Sequence, residues 1–134
     1  MNLGQIGAAY SSLIKLSQIN MDYNTAYRLH QLVEAVKSDF DFYMKKEYEI
    51  LKQYGVPNEK NPTNFYFSEE NREIAQKELT DLKNIEITAD ITPVNIYITD
   101  DLKLSASDIG VLMPFINFIE KGNNTNGYNN SSVK

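Results

Sequence analysis

His30 is the single histidine of this 134-residue chain, and Glu34 follows it one helical turn later. An imidazole beside a carboxylate is what a general base or a metal ligand would need, since only histidine titrates near neutral pH unaided. The pair lies beside an apolar helical stripe, where a solvent-facing i,i+4 contact is the expected role. Asp39 and Asp41 are two residues apart, about 200° around a helix, and cannot chelate one ion. Asp100 and Asp101 fall in a break between periodic segments, where aspartate is favoured for turn geometry alone. Glu47 interrupts the stripe and could be a buried carboxylate of shifted pKa. Beside Lys46 and one turn after Tyr43, a partly exposed helix position is expected instead.

Absent residue types narrow the chemistry further. Zero cysteines exclude disulfides, thiolate catalysis and Cys-based zinc sites, and one histidine excludes a His-rich metal centre. There is no Gly-rich phosphate loop, no Gly-x-Ser-x-Gly elbow and no His-Glu-x-x-His pair. No catalytic, cofactor-binding or metal-ligating residue is therefore assigned, and the chain reads as not an enzyme. Thirteen Lys and Arg against 18 Asp and Glu give a net charge of −5, which disfavours phosphate backbones, so nucleic acid is not an expected partner. Carboxylates are interleaved with lysines and form no unbroken acidic row, which describes a solvated surface better than a nucleic-acid mimic. No apolar run approaches the ~20 residues of a membrane span, and the first residues carry no basic leader pattern, so a soluble protein without a membrane partner is expected.

The elements that would carry these residues follow from periodicity. Apolar residues at Leu3, Ile6, Tyr10, Leu13, Ile14 and Leu16 predict a first helix over 3–19. Ala26, Leu29, Val33, Val36, Phe40, Tyr43, Glu47, Ile50 and Tyr54 alternate steps of three and four, predicting a helix over 25–54. Gly55 in a left-handed stop position and Pro57 would end it. At 1.5 Å per residue that helix is roughly 45 Å long, against about 36 Å for a compact chain of this length, so it must be a spine or a protrusion. The first helix can return antiparallel along its first half, and a helix over 69–83, opened by Glu69, Glu70 and Glu73, along its second.

Phe65, Tyr66 and Phe67 could add a short strand. Ile85, Ile87, Ala89 and Ile91 alternate, and Val94, Ile96 and Ile98 alternate in the opposite parity, which predicts a kinked edge strand or a loose hairpin around Pro93. Ser105 and Asp108 form a capping-box variant opening a last helix with Ile109, Leu112, Met113, Ile116 and Ile119 on its apolar face, kinked or split at Pro114. The fold class is α+β: a long central helix flanked by antiparallel helices, a small β hairpin or edge strands, and a Pro-kinked C-terminal helix. One domain is expected over 1–121. Residues 122–134 form an Asn-rich tail expected to be disordered, in which Asn123, Asn129 and Asn130 begin glycosylation-like triplets explained by chance.

Aromatic placement is the remaining signal. With the stripe centred near Phe40, Phe42 projects about 200° away and Tyr27 about 140° away, on the back of the long helix. Exposed, they would be partner-binding residues; the alternative is that other elements of the same chain cover them.

The order of features resembles a family of small uncharacterised proteins of tailed phages and prophages of low-GC bacteria. The resemblance spans about 20–118. It rests on a helical pair ending in Ile50, Leu51, Tyr54 and Gly55, a Glu-rich helix ending in Glu78, Leu79 and Leu82, and the run Ile85, Ile87. Leu104, Ser105, Asp108 and Ile109 then lead to Leu112, Met113, Pro114, Phe115 and Ile116. The Asn-, Ile-, Tyr- and Lys-rich composition fits an AT-rich genome. The resemblance implies no activity, cofactor or site residue. It implies a phage-encoded accessory or virion-associated protein, found in the host bacterial cytoplasm or the virion. The expected function is binding through a helical surface, to itself as a homo-oligomer or to a phage or host protein. One rival is an acidic inhibitor of a host defence or metabolic enzyme; another is an unrecognised enzyme using Glu47, His30 or Asp101.

Overall fold

A computed structural model describes residues 1–120, so the Asn-rich tail, its Asn123, Asn129 and Asn130 triplets and its expected disorder lie outside the described residues. The element order is α1 (Leu3–Ser17), α2 (Tyr23–Tyr54), β1 (Val56–Pro57), β2 (Phe65–Tyr66), α3 (Glu69–Lys83), β3 (Val94–Ile98), α4 (Ala106–Leu112) and β4 (Ile116–Glu120). This is an α+β protein built on one long helix, as its periodicity predicts. Local chemistry sets the helix starts. The Gln5 N–H donates to the Asn2 side chain at 3.0 Å while the Asn2 N–H donates to the Gln5 side chain at 2.8 Å, a reciprocal cap on α1. Asp22 opens α2 by accepting from the Thr25 N–H and hydroxyl, so that helix begins two residues earlier than expected. Ser68 accepts from the Asn71 N–H, and Glu69 and Glu70 occupy the first turn of α3, whose bounds match the sequence reading.

The chain divides into two compact units, with α1 and α2 contributing a part to each. The first comprises Met1–Tyr10 and Val36–Ala89. Its core joins Leu3, Tyr43 and Leu82, one residue from each of three helices, with Ile50 and Ile87 packed against them. Gly7 lies opposite Tyr43, and Tyr10 stacks on Phe40 with ring centroids 4.0 Å apart and planes 11° apart, so α1 runs antiparallel to α2. The antiparallel pairing, expected along the first half of α2, is thus made at Phe40 and Tyr43, just past its midpoint. Phe40, the expected centre of the stripe, is half-buried, and Ala26 is exposed; the buried positions are Leu29, Leu32, Val33, Val36 and Tyr43.

Gly55 corrects another expectation. Its backbone is not left-handed; a Cβ there would stand 2.9 Å from the Leu51 carbonyl and 2.9 Å from the Phe67 ring, so close approach is what requires glycine. The chain then enters the antiparallel pair β1–β2, with Val56 opposite Tyr66 and Pro57 opposite Phe65.

The second unit comprises Ser11–Ala35 and the described part of Asp90–Lys134. Here β3 and β4 pair in parallel, Val94 opposite Ile116 through Ile98 opposite Glu120. A parallel pair needs a crossover, and α4 supplies it. Val94, Ile96, Leu112, Phe115 and Ile116 form the buried side.

Two expectations fail in this part of the chain. The alternating run 85–91 neither pairs with 94–98 nor forms a strand. It contributes one bridge, Glu86 opposite Asn2, with the Leu3 N–H donating to the Ile85 carbonyl and the Ile87 N–H to the Met1 carbonyl. The last helix stops at Leu112, two residues before Pro114, instead of bending past it, and 116–120 is a strand. Proline has no N–H to extend the ladder and its ring crowds the preceding turn, while Ile116, Phe118 and Ile119 favour a pleated strand once β3 is there to pair.

Candidate functional site

The two aromatics singled out by the sequence are both exposed: Tyr27 retains 61% of its surface and Phe42 45%. Tyr27 is therefore mostly in water, while Phe42 is partly covered beside α3. Each lines a groove, and each groove lies within one unit.

In the first unit, α2 and α3 leave a groove of ≈ 490 Å³ lined by Phe42, Ile50, Leu82 and Ile85 together with Lys46, Glu49, Gln53, Glu78 and Asp81. Phe42 precedes Tyr43, hence lies about 100° round α2 from the ring that faces α1. Leu82 is the buried floor, and Phe42 and Ile85 are exposed flanks. The Lys46 ammonium donates to Glu49 Oε1 at 3.2 Å and sits 5.8 Å from the Phe42 ring centroid, within cation–π reach. The Tyr54 hydroxyl donates to Glu78 Oε2, a bond that raises the phenol pKa above its ordinary value, and Asn71 Nδ2 donates to the Tyr54 carbonyl, anchoring the start of α3 to the end of α2.

In the second unit, the first half of α2 faces the irregular segment 90–93 across a groove of ≈ 490 Å³. Tyr27, Arg28 and Gln31 form one wall, Asp90, Thr92 and Pro93 the other. Gln31 Nε2 donates to the Tyr27 hydroxyl at 3.3 Å, one turn along the helix, which fixes the ring's outward direction. Arg28 makes no ion pair with any described residue.

The carboxylates and the histidine weighed for chemistry are not brought together. His30 and Glu34 are both exposed on α2. The Lys37 ammonium donates to Asp41 at 2.9 Å, while Asp39 is half-buried. Glu47 is half-buried and accepts from the Tyr43 hydroxyl at 2.9 Å; burial of that phenol, helped by this bond, pushes it up to about 12. Asp100 and Asp101 occupy a turn closed by the Leu102 N–H donating to the Thr99 carbonyl at 3.0 Å. Among the described residues no group of three His, Cys, Asp or Glu side chains is placed to hold a metal ion, and no helix is long and apolar enough to cross a membrane.

The most perturbed group is one that sequence reasoning assigned only to a helix cap. Asp108, 8% exposed, accepts from the Lys15 ammonium at 2.7 Å, the Ser12 hydroxyl at 2.7 Å and the Ser105 N–H at 3.2 Å. Its own N–H donates to Ser105 Oγ at 3.0 Å, completing the capping box. The Lys15 and Ser12 bonds, with the Ser105 N–H, hold the carboxyl well below the usual range. A serine whose proton is held by a carboxylate invites a nucleophile reading. Here the lysine binds the carboxylate and not the hydroxyl, and Ser12 is buried, so the cluster clasps α4 to α1 instead. Ser12 and Lys15, three apart on one flank of the first stripe, were the available signal, but nothing local paired them with a residue 96 and 93 positions away. Compared with known proteins, the chain matches no protein-family model, no curated protein and no solved structure.

Proposed function

We propose that this protein acts by binding another protein through the exposed aromatic positions of α2, without catalysing a reaction, as a phage-encoded accessory or virion-associated component. The observation that carries the reading is the exposure of Phe42 and Tyr27 at the edges of two grooves, where large side chains are left in water beside apolar neighbours. Aromatic side chains in such positions dominate binding energy at interfaces because a single ring removes a large apolar area from water. The test is capture of a partner from infected cells by the wild-type chain and by the Phe42→Ala and Tyr27→Ala variants. Loss of a specific partner with unchanged circular dichroism supports the reading, and a partner retained equally by both variants overturns it. Purified virions separate the two biological roles. A virion-associated protein is present there in stoichiometric amount, whereas an acidic inhibitor of a host enzyme is absent.

A further inference from the structure

We infer that the α2–α3 groove of the first unit receives a basic amphipathic helix of a partner protein; this rests on the reading of Phe42 as a partner contact. The groove is open along α2 from Phe42 to Gln53, roughly 16 Å or three helical turns. The walls are helices apart from Ile85, whose N–H donates to the Leu82 carbonyl and whose carbonyl accepts from the Leu3 N–H, so the groove offers no strand edge for an extended peptide to join. Recognition must come from side chains, and a ridge of apolar residues at i, i+3, i+4 and i+7 on an incoming helix matches a floor of Leu82 and Ile50 flanked by Phe42 and Ile85.

Charge selects the kind of helix. The lining carries three carboxylates, Glu49, Glu78 and Asp81, against one ammonium, Lys46, which Glu49 already engages. Asp81 is 3.7 Å from Lys77, a loose and well-exposed pair that leaves the carboxylate able to meet another cation. On the α2 wall Lys46 and Glu49 balance, so the excess charge lies on the α3 wall at Glu78 and Asp81; a helix flanked by Lys or Arg would place opposite charge against that wall, and one flanked by Asp or Glu would meet like charge.

The experiment titrates the full chain with a fluorescent amphipathic peptide of about 18 residues, long enough to form a helix on binding. The peptide carries apolar residues at the spacing above and lysines on its flanks, and the control has the same apolar face with glutamates on its flanks. The expected result is at least tenfold tighter binding of the cationic peptide, an advantage that shrinks as salt screens the charges. Phe42→Ala should weaken that binding about tenfold with unchanged circular dichroism. Glu49→Lys with Asp81→Lys, both exposed positions, should invert the preference between the peptides. Equal binding of the two peptides, binding of neither, or indifference to Phe42→Ala overturns the inference. So does a homodimer at micromolar concentration that Phe42→Ala dissolves, because the occupant is then a second copy. Loss of a natural partner on Phe42→Ala without peptide selectivity overturns this inference and leaves the broader reading standing. A partner kept by both aromatic variants fails the broader reading itself.

Discussion

The two units are held by different physics. The first closes on an apolar cluster, Leu3, Tyr43 and Leu82, and on glycines that let helices approach. A Cβ on Gly7 would lie 2.5 Å from the Tyr43 ring, and one on Gly4 would lie 2.9 Å from the Lys83 side chain. The second also has an apolar side, but its elements of distant sequence are tied by an ionised carboxylate in a nearly closed setting, Asp108 with Lys15 and Ser12. Dispersion and burial do not depend on pH, whereas a charge-assisted bond is lost when the carboxylate is protonated. One chain thus contains a region limited by space and a region limited by charge.

That contrast can be broken from either side. The largest effect is expected from Phe115→Ala in the second unit, where the ring is fully buried; about 3–5 kcal/mol should be lost in urea unfolding. Amide exchange should then show 90–120 losing protection ahead of α3. Next, Gly7→Val should cost the first unit about 1–3 kcal/mol, because the tightly buried Tyr43 ring must move to admit the new side chain. An unchanged urea midpoint would show that the helix pair has slack the geometry does not suggest.

The pH limbs separate the units by sign. Asp108 is depressed from an ordinary value of 3.8, so its contribution is complete above that value and lost as pH falls below it. Tyr43 is raised from 10.0 to about 12, so its contribution is complete below pH 10.0 and lost as pH rises toward 12. Asp108→Asn should lower stability at neutral pH and flatten the acid limb of the urea midpoint, and Tyr43→Phe should flatten the alkaline limb. Limbs that survive both substitutions would place the titrating groups elsewhere. The smallest effect is expected at the proposed contact: Phe42→Ala should cost about 1 kcal/mol, since nearly half of the residue is already in water. A loss like that at Phe115 would make Phe42 a core residue and end its candidacy as a docking anchor.

The helices were legible wherever a local signal repeated itself. Steps of three and four through Leu29, Val33 and Val36, with no proline before Pro57, describe α2 without reference to any other element. Ser68 followed by Glu69 and Glu70 fixes the start of α3 in the same local way. The outward direction of Tyr27 and Phe42 is a matter of angle around one helix, so it too could be read from spacing. The strands could not. Ile85, Ile87 and Ile91 alternate as well as any strand, yet nearly all of the run goes unpaired. Ile116 and Ile119 suit a helical face equally well, yet lie in β4 because Val94–Ile98 is there to receive them. Asp108 was visible as a cap but not as the partner of Lys15.

What the amino-acid order determined by itself was the set of contacts within a few residues of one another: the long helix, its caps, and the face on which its spare aromatics stand. What only the tertiary structure decided was every feature that needs a second segment, including the parallel β3–β4 ladder, the close approach at Gly7 and Gly55, the buried charge at Asp108 and the groove beside Phe42. The reason is that a helix satisfies its own backbone hydrogen bonds, whereas a strand, a buried ion and a groove are each completed by atoms far away in the chain.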